Sequence, residues 1–106
     1  MKKEEKGLSR SRWFVTINNE KMTDDEFMEY CKNLEHVKYF VFQREKGYEN
    51  ETEHIHLFII FNINKRFSII KTYFPRGDIE PVKGTNAEVR KYVTKSDMRV
   101  SGPFEC

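Results

Sequence analysis

Residues 54–61 read His-Ile-His-Leu-Phe-Ile-Ile-Phe, and this segment constrains the fold more than any other. Branched and aromatic side chains favour an extended backbone, and successive side chains of a strand point to opposite faces of its sheet. Here both faces are apolar, so the segment is expected to be an interior strand covered on each side. Only His54 and His56 interrupt its apolar character. They stand two residues apart and therefore share one face.

The neighbouring elements follow from periodicity and punctuation. Arg12 to Asn18 contains Trp-Phe-Val-Thr-Ile and predicts a strand. Thr23 with Glu26 has the form of a capping box, and Phe27, Tyr30, Cys31 and Leu34 recur at helical spacing. That pattern predicts a helix ending near Asn33. Val37 to Glu45 predicts a second strand, joined to the histidine strand by a loop over 46–53. Lys65 to Phe74 carries Phe67, Ile70 and Phe74 on a helical period, and Pro75 ends it. Asp78 to Val82 predicts a short strand. Gly84 breaks the chain, and Asn86 to Ser96 predicts a last helix with Asn86 as its cap. The tail, Ser101 to Cys106, is expected to be a turn. The order is β-α-β-β-α-β-α. It predicts an α+β fold, an antiparallel sheet of about five strands with packed helices, of the ferredoxin-like sort.

A chain of 106 residues, 38 % hydrophobic and 14 % aromatic, builds one compact domain with a core of its own. Residues 1–9 are polar and expected to be mobile, and Met1 to Lys6 lacks the apolar stretch of a secretory signal. Cys31 and Cys106 form no CxxC pair, which argues against a disulfide framework and for a reducing, intracellular compartment. No stretch is apolar for the roughly 18 residues a membrane span needs, so no membrane partner is expected. The net charge of +2 neither requires nor excludes nucleic acid.

The histidine pair acquires a third partner from the hairpin. If residues 46–53 form a simple loop, Glu45 lies opposite His54 and Gln43 opposite His56. Directly opposed residues share a face, with Cβ atoms about 4.5–5.5 Å apart. Glu45, His54 and His56 then converge as a candidate metal site. Imidazole suits zinc and its neighbours, whereas carboxylate and water suit magnesium and manganese. The plain alternative is two ordinary histidines and a charge pair.

In the last predicted helix, Tyr92 and Lys95 are spaced i, i+3 and share a face. A phenol attacks poorly near its ordinary pKa of about 10, and a neighbouring ammonium or metal favours the phenolate. The plain alternative is that Val89, Tyr92 and Val93 form a core stripe. Basic residues Arg10, Arg12, Lys83, Arg90 and Lys91, with Asn18 and Asn19, are candidates for a strand-binding groove. Asn18 and Asn19 also suit a simple turn.

Three segments together resemble the HUH endonucleases, named for histidine, a hydrophobic residue and histidine. These include the replication initiators of small circular single-stranded DNA viruses and rolling-circle plasmids. Arg12-Trp13-Phe14-Val15-Thr16-Ile17-Asn18-Asn19 resembles the first motif of that family, with Val15 where Phe is usual. His54-Ile55-His56 resembles the HUH motif, with Glu45 upstream, and Tyr92-Val93-Thr94-Lys95 resembles the YxxK nucleophile motif. Gly84-Thr85 and Gly102-Pro103-Phe104-Glu105 also match. The order agrees from about residue 11 onward.

The resemblance implies a ferredoxin- or RRM-like HUH endonuclease domain over 1–106, truncated from a longer initiator with a C-terminal helicase. It implies sequence-specific nicking and joining of single-stranded DNA at a replication origin. Tyr92 would form a 5′-phosphotyrosine, Lys95 would assist, and Glu45, His54 and His56 would hold Mg²⁺ or Mn²⁺. No ATPase activity is expected of this chain, which lacks a P-loop. A longer protein is expected to oligomerise, if at all, through regions absent here. The implied location is the host nucleus for a eukaryotic virus and the cytoplasm for a plasmid or phage. Two rival readings are a non-catalytic RNA- or DNA-binding module and a zinc protein with a hydrolytic water.

Overall fold

A computed structural model describes residues 8–47 and 52–106. In chain order its elements are β1 (Ser9–Asn18), α1 (Asp24–Lys32), β2 (Val37–Lys46), β3 (Glu53–Arg66), α2 (Phe67–Tyr73), β4 (Asp78–Pro81), α3 (Asn86–Val93) and β5 (Arg99–Glu105). The strands form one antiparallel sheet in the order β4-β1-β3-β2-β5. β3 takes the middle position, as a strand apolar on both faces must. The fold is α+β, and its β-α-β-β-α-β core is the ferredoxin-like arrangement shared with RRM sheets.

The pleat sorts side chains onto two faces. Trp13, Val15 and Ile17 of β1, Phe40 and Phe42 of β2, and Ile55, Leu57 and Ile59 of β3 pack with Phe27 and Cys31 of α1 and with Phe67 and Ile70 of α2. On the opposite face Val41 and Phe58 meet Val93 of α3. α1 begins at the expected capping box: Glu26 N–H donates to Thr23 Oγ1 at 3.1 Å and Thr23 N–H to Glu26 Oε1 at 2.8 Å. No helix among the described residues is long and apolar enough to cross a membrane.

At several boundaries the structure differs from the expectation. β1 begins at Ser9, within the segment expected to be mobile, because Ser9 and Arg10 pair with Arg66 and Lys65. Residues 1–7 of that segment lie outside the described residues. The same pairing extends β3 through Lys65 and Arg66, which the helical period had claimed. Arg66 makes no side-chain cap, so strand pairing rather than capping sets the start of α2. The cap of α3 is Thr85, in a box with Glu88, while Asn86 accepts from Arg12 instead. The tail is a strand, not a turn: β5 pairs with β2, and at a sheet edge a proline costs no ladder bond to an outer neighbour.

Candidate active site

The β2–β3 hairpin sets Glu45 opposite His54, Gln43 opposite His56 and Lys46 opposite Glu53. Pleating puts Glu45, His54 and His56 on the α3 face, and one potential ligand atom from each lies within 4.8 Å of the others. Glu45 Oε1 is 3.6 Å from His54 Nε2 and 3.4 Å from His56 Nδ1. His54 Nδ1 is 3.2 Å from the Thr52 carbonyl, which can only accept. Nδ1 is therefore the nitrogen that donates to Thr52, and Nε2 is the one that faces Glu45.

The electrostatics suit a cation. Burial pushes the Glu45 carboxyl up, but hydrogen bonds from Lys95 and Gln43 and the neighbouring positive charge outweigh it and hold the group below its ordinary value. Burial pushes His56 down; Glu45 opposes that shift, while His54 and Lys95 add to it. The shift favours the neutral imidazole, the form that can bind a metal. His56 Nδ1 approaches Glu45 Oε1 without the alignment of a hydrogen bond and is a buried nitrogen lacking a hydrogen-bond partner among the described residues. Such an atom is costly to leave unpaired. A divalent cation among the three side chains would satisfy it, so the donor set can coordinate a metal.

Beside this cluster stands Tyr92. It does not belong to a core stripe: Val93 is fully buried, whereas Tyr92 is 52 % exposed. Its ring stacks on His56 with centroids 5.7 Å apart and an interplanar angle of 23°, and Phe14 packs against both rings. Lys95 lies two residues beyond the end of α3 rather than on it. Its side chain still returns to the cluster: Nζ is 2.9 Å from each Glu45 oxygen and 4.5 Å from the centre of the Tyr92 ring. The candidate metal ligands, the phenol and the ammonium thus occupy one locality.

The other candidate residues are dispersed. Asn18 shares the cluster's face and pairs opposite His54, while Asn19 adopts φ 53°. Arg76 donates to both their carbonyls, at 2.8 and 3.3 Å, which is the turn role. Arg12 is engaged internally, donating to Gly84 O and Asn86 Oδ1 at 2.8 Å each. Arg90 makes a two-pronged pair with Glu105, at 2.6 and 2.8 Å. Arg10, Phe14, Lys83, Glu88 and Tyr92 line an open groove of about 960 Å³. Lys91 is exposed on α3. Gln43 and Arg99 bond into the cluster's surroundings. Hairpin register places Gln43 on that face, whereas Arg99, read from the sequence only as one of the dispersed basic residues, reaches the cluster because β5 pairs with β2.

Residues 10–96 match the protein-family model described as "Putative viral replication protein". The chain is 33 % identical over 97 residues to the master replication protein of banana bunchy top virus, a match covering 88 % of this chain and 30 % of that protein. It is 36 % identical over 91 residues to the replication-associated protein of beak and feather disease virus, covering 84 % of this chain and 30 % of the relative. It is 38 % identical over 95 residues to the master replication protein of milk vetch dwarf virus, covering 88 % and 30 %. The chain thus spans about 30 % of the length of the curated relatives it matches.

Proposed function

The chain belongs to the viral replication protein family, and from that membership we propose that it is a nicking and joining domain that cuts single-stranded DNA at a replication origin. One observation carries the reading. An exposed tyrosine stacks on a histidine of a Glu-His-His cluster fit for a divalent cation, with a lysine between them. A structural tyrosine has no need of that company.

In this reading Glu45, His54 and His56 hold Mg²⁺ or Mn²⁺, which supplies Lewis-acid polarisation and charge neutralisation at the scissile phosphate. Tyr92 Oη gives up its proton to solvent and forms a bond to phosphorus. The bond from phosphorus to the 3′-oxygen breaks, and that oxygen leaves as a hydroxyl after taking a proton from solvent. One phosphate ester replaces another, so the 5′-phosphotyrosine can later be attacked by a new 3′-OH and the strand rejoined. Lys95 contributes positive charge beside the phenol. His56 and Phe14 fix the ring of Tyr92 so that attack starts from an ordered geometry. Arg10 and Lys83, on the groove beside Tyr92, are the basic residues best placed to contact the strand. The domain corresponds to one part of a longer initiator, since its relatives extend well past the matched region.

A pool of random-sequence single-stranded DNA tests the proposal. The parent protein with Mn²⁺ is expected to cut members of the pool, and EDTA is expected to stop it. Tyr92→Phe keeps the ring and loses the attacking oxygen, so it is expected to bind the selected DNA and leave it whole. Cleavage by Tyr92→Phe at the parent's rate would refute the assigned nucleophile.

A further inference from the structure

We propose that Gln43 and Arg99 are positioning residues for this reaction, forming a clamp that fixes the end of α3 against Glu45; the inference rests on the function proposed above. Gln43 is fully buried and its amide is fully committed. Nε2 donates to Glu45 Oε2 at 2.9 Å and to the Lys95 carbonyl at 2.7 Å, while Oε1 accepts from Arg99 Nε at 3.1 Å. Arg99 Nη2 also donates to the Thr94 carbonyl at 2.8 Å. Thr94 and Lys95 directly follow the last residue of α3. The carbonyls that end a helix have no intrahelical partner. Here two carbonyls at that exit bond to β2 and β5.

Bond direction makes the clamp specific. Reversing the amide would bring its oxygen against Glu45 Oε2 and the Lys95 carbonyl, three acceptors together. It would also turn the amide nitrogen to the Arg99 guanidinium, donor against donor. Glu45, the Lys95 carbonyl and Arg99 together select the orientation in which Gln43 holds Oε2. Glu45 Oε1 is left facing His54 and His56. The backbone accommodates the clamp at one glycine. Gly102 has φ +99°, and a Cβ there would lie 2.9 Å from Gln43 Cβ. β5 also shifts register against β2 between Phe42 and Glu45, the kind of irregularity that re-aims a side chain.

Tyr92 stands three residues before Lys95, so a frame that ties Lys95 O to Glu45 Oε2 also sets the phenol relative to the metal ligands. A displacement of about 1 Å at such a site costs about a hundredfold in rate. Neither Gln43 nor Arg99 needs to touch DNA for this effect.

Single-turnover cutting of a DNA selected from the pool, alongside Mn²⁺ affinity, tests the clamp. Arg99→Met is expected to lower kcat about tenfold, with KM for DNA and Mn²⁺ affinity within about twofold of the parent, and Arg99→Lys to recover part of the loss. Gln43→Leu, close in volume, is expected to lower kcat further. The double variant is expected to be no slower than Gln43→Leu alone, because both act through one amide. Losses that multiply in the double variant would overturn the clamp. So would an Arg99→Met variant whose only change is a raised KM, the mark of a DNA contact. Arg99 is exposed, so Arg99→Met keeps the test valid if Gln43→Leu fails to fold. A parent protein that cuts no DNA would refute the function proposed above and the clamp with it. A parent that cuts, with Arg99→Met at the parent's kcat, would refute the clamp alone.

Discussion

On the face covered by α1 and α2, strands β1, β2 and β3 present Trp13, Val15, Ile17, Phe40, Phe42, Ile55, Leu57 and Ile59, all buried. On the opposite face the same strands carry Thr16 and Asn18, Gln43 and Glu45, and His54 and His56, with α3 as the covering helix. The first face is held by dispersion and exclusion of water, which need no direction. The second combines the smaller apolar cluster of Val41, Phe58 and Val93 with directed contacts: Glu45 is 1 % exposed yet bonded by Lys95 and Gln43. Arg44, at the rim of the apolar face, is bonded to Asp24 at 2.5 Å and to the Glu20 and Met22 carbonyls. The larger apolar core thus lies on one face, and the other, with its smaller cluster, also holds groups whose burial only a cation or a hydrogen bond makes tolerable.

The sharpest way to break this comparison is to empty the apolar face. Phe42 contacts Phe27 and Phe104 and is fully buried. Phe42→Ala is expected to lower the free energy of unfolding by about 3–5 kcal/mol in urea titrations. Its Mn²⁺ affinity, measured where the variant remains folded, should match the parent's. A loss of affinity without a loss of stability would show that the faces are not separable.

A second contrast sets neighbours in the hairpin against each other. Glu45 is on the cluster's face, and Glu53 adjoins His54 and so lies on the other. Glu45→Gln is expected to weaken Mn²⁺ binding by about a hundredfold, as loss of a charged ligand should. Glu53→Gln is expected to change it little, as read by isothermal titration calorimetry. The reverse ranking would mean that the carboxylate comes from elsewhere. Glu51, the third acidic residue weighed for this role, lies outside the described residues.

Lys95 offers a smaller and less obvious effect. Its ammonium sits on both oxygens of the carboxylate that a dication would use. Lys95→Met is therefore expected to tighten Mn²⁺ binding by about tenfold, while cutting slows. Affinity equal to or weaker than the parent's would show that the lysine does not compete with the metal.

The smallest effect belongs to the exposed edge. Glu105, paired with Arg90 and Tyr39, is held down to about 2 by their hydrogen bonds. A carboxyl lowered on folding adds stability above its unfolded pKa, near 4.5, and loses it as pH falls through the folded value. The parent should therefore exceed Glu105→Gln slightly in Tm at pH 7, and the gap should close between about pH 4.5 and 2. A gap that widens on acidification would reverse the sign of the pairing.

Much of this geometry is legible in the chain because it is local. A period of two and a run apolar on both sides place residues 54–61 in the middle of the sheet. A single hairpin then aligns Glu45 with His54 and Gln43 with His56. Thr23 and Glu26 announce α1 through a contact only three residues long. What stays hidden is non-local. Nothing near Lys65 and Arg66 reveals that Arg10 and Ser9 will pair with them. Gly102-Pro103 has the composition of a turn, and only the open edge of β2 makes it a strand. The orientation of Gln43 depends on Lys95 and Arg99, 52 and 56 positions away. Tyr92 is legible as a residue, but its exposure depends on how α3 lies across the sheet.

On the function proposed above, Tyr92, beside a metal held by Glu45, His54 and His56, becomes covalently joined to DNA. Peptide mass spectrometry after incubation with single-stranded DNA and Mn²⁺ tests it most directly. The account predicts a nucleotide adduct on the peptide containing Tyr92, formed with Mn²⁺ and absent with EDTA. Cut DNA with an adduct on another residue, or with no adduct on the protein at all, would contradict it.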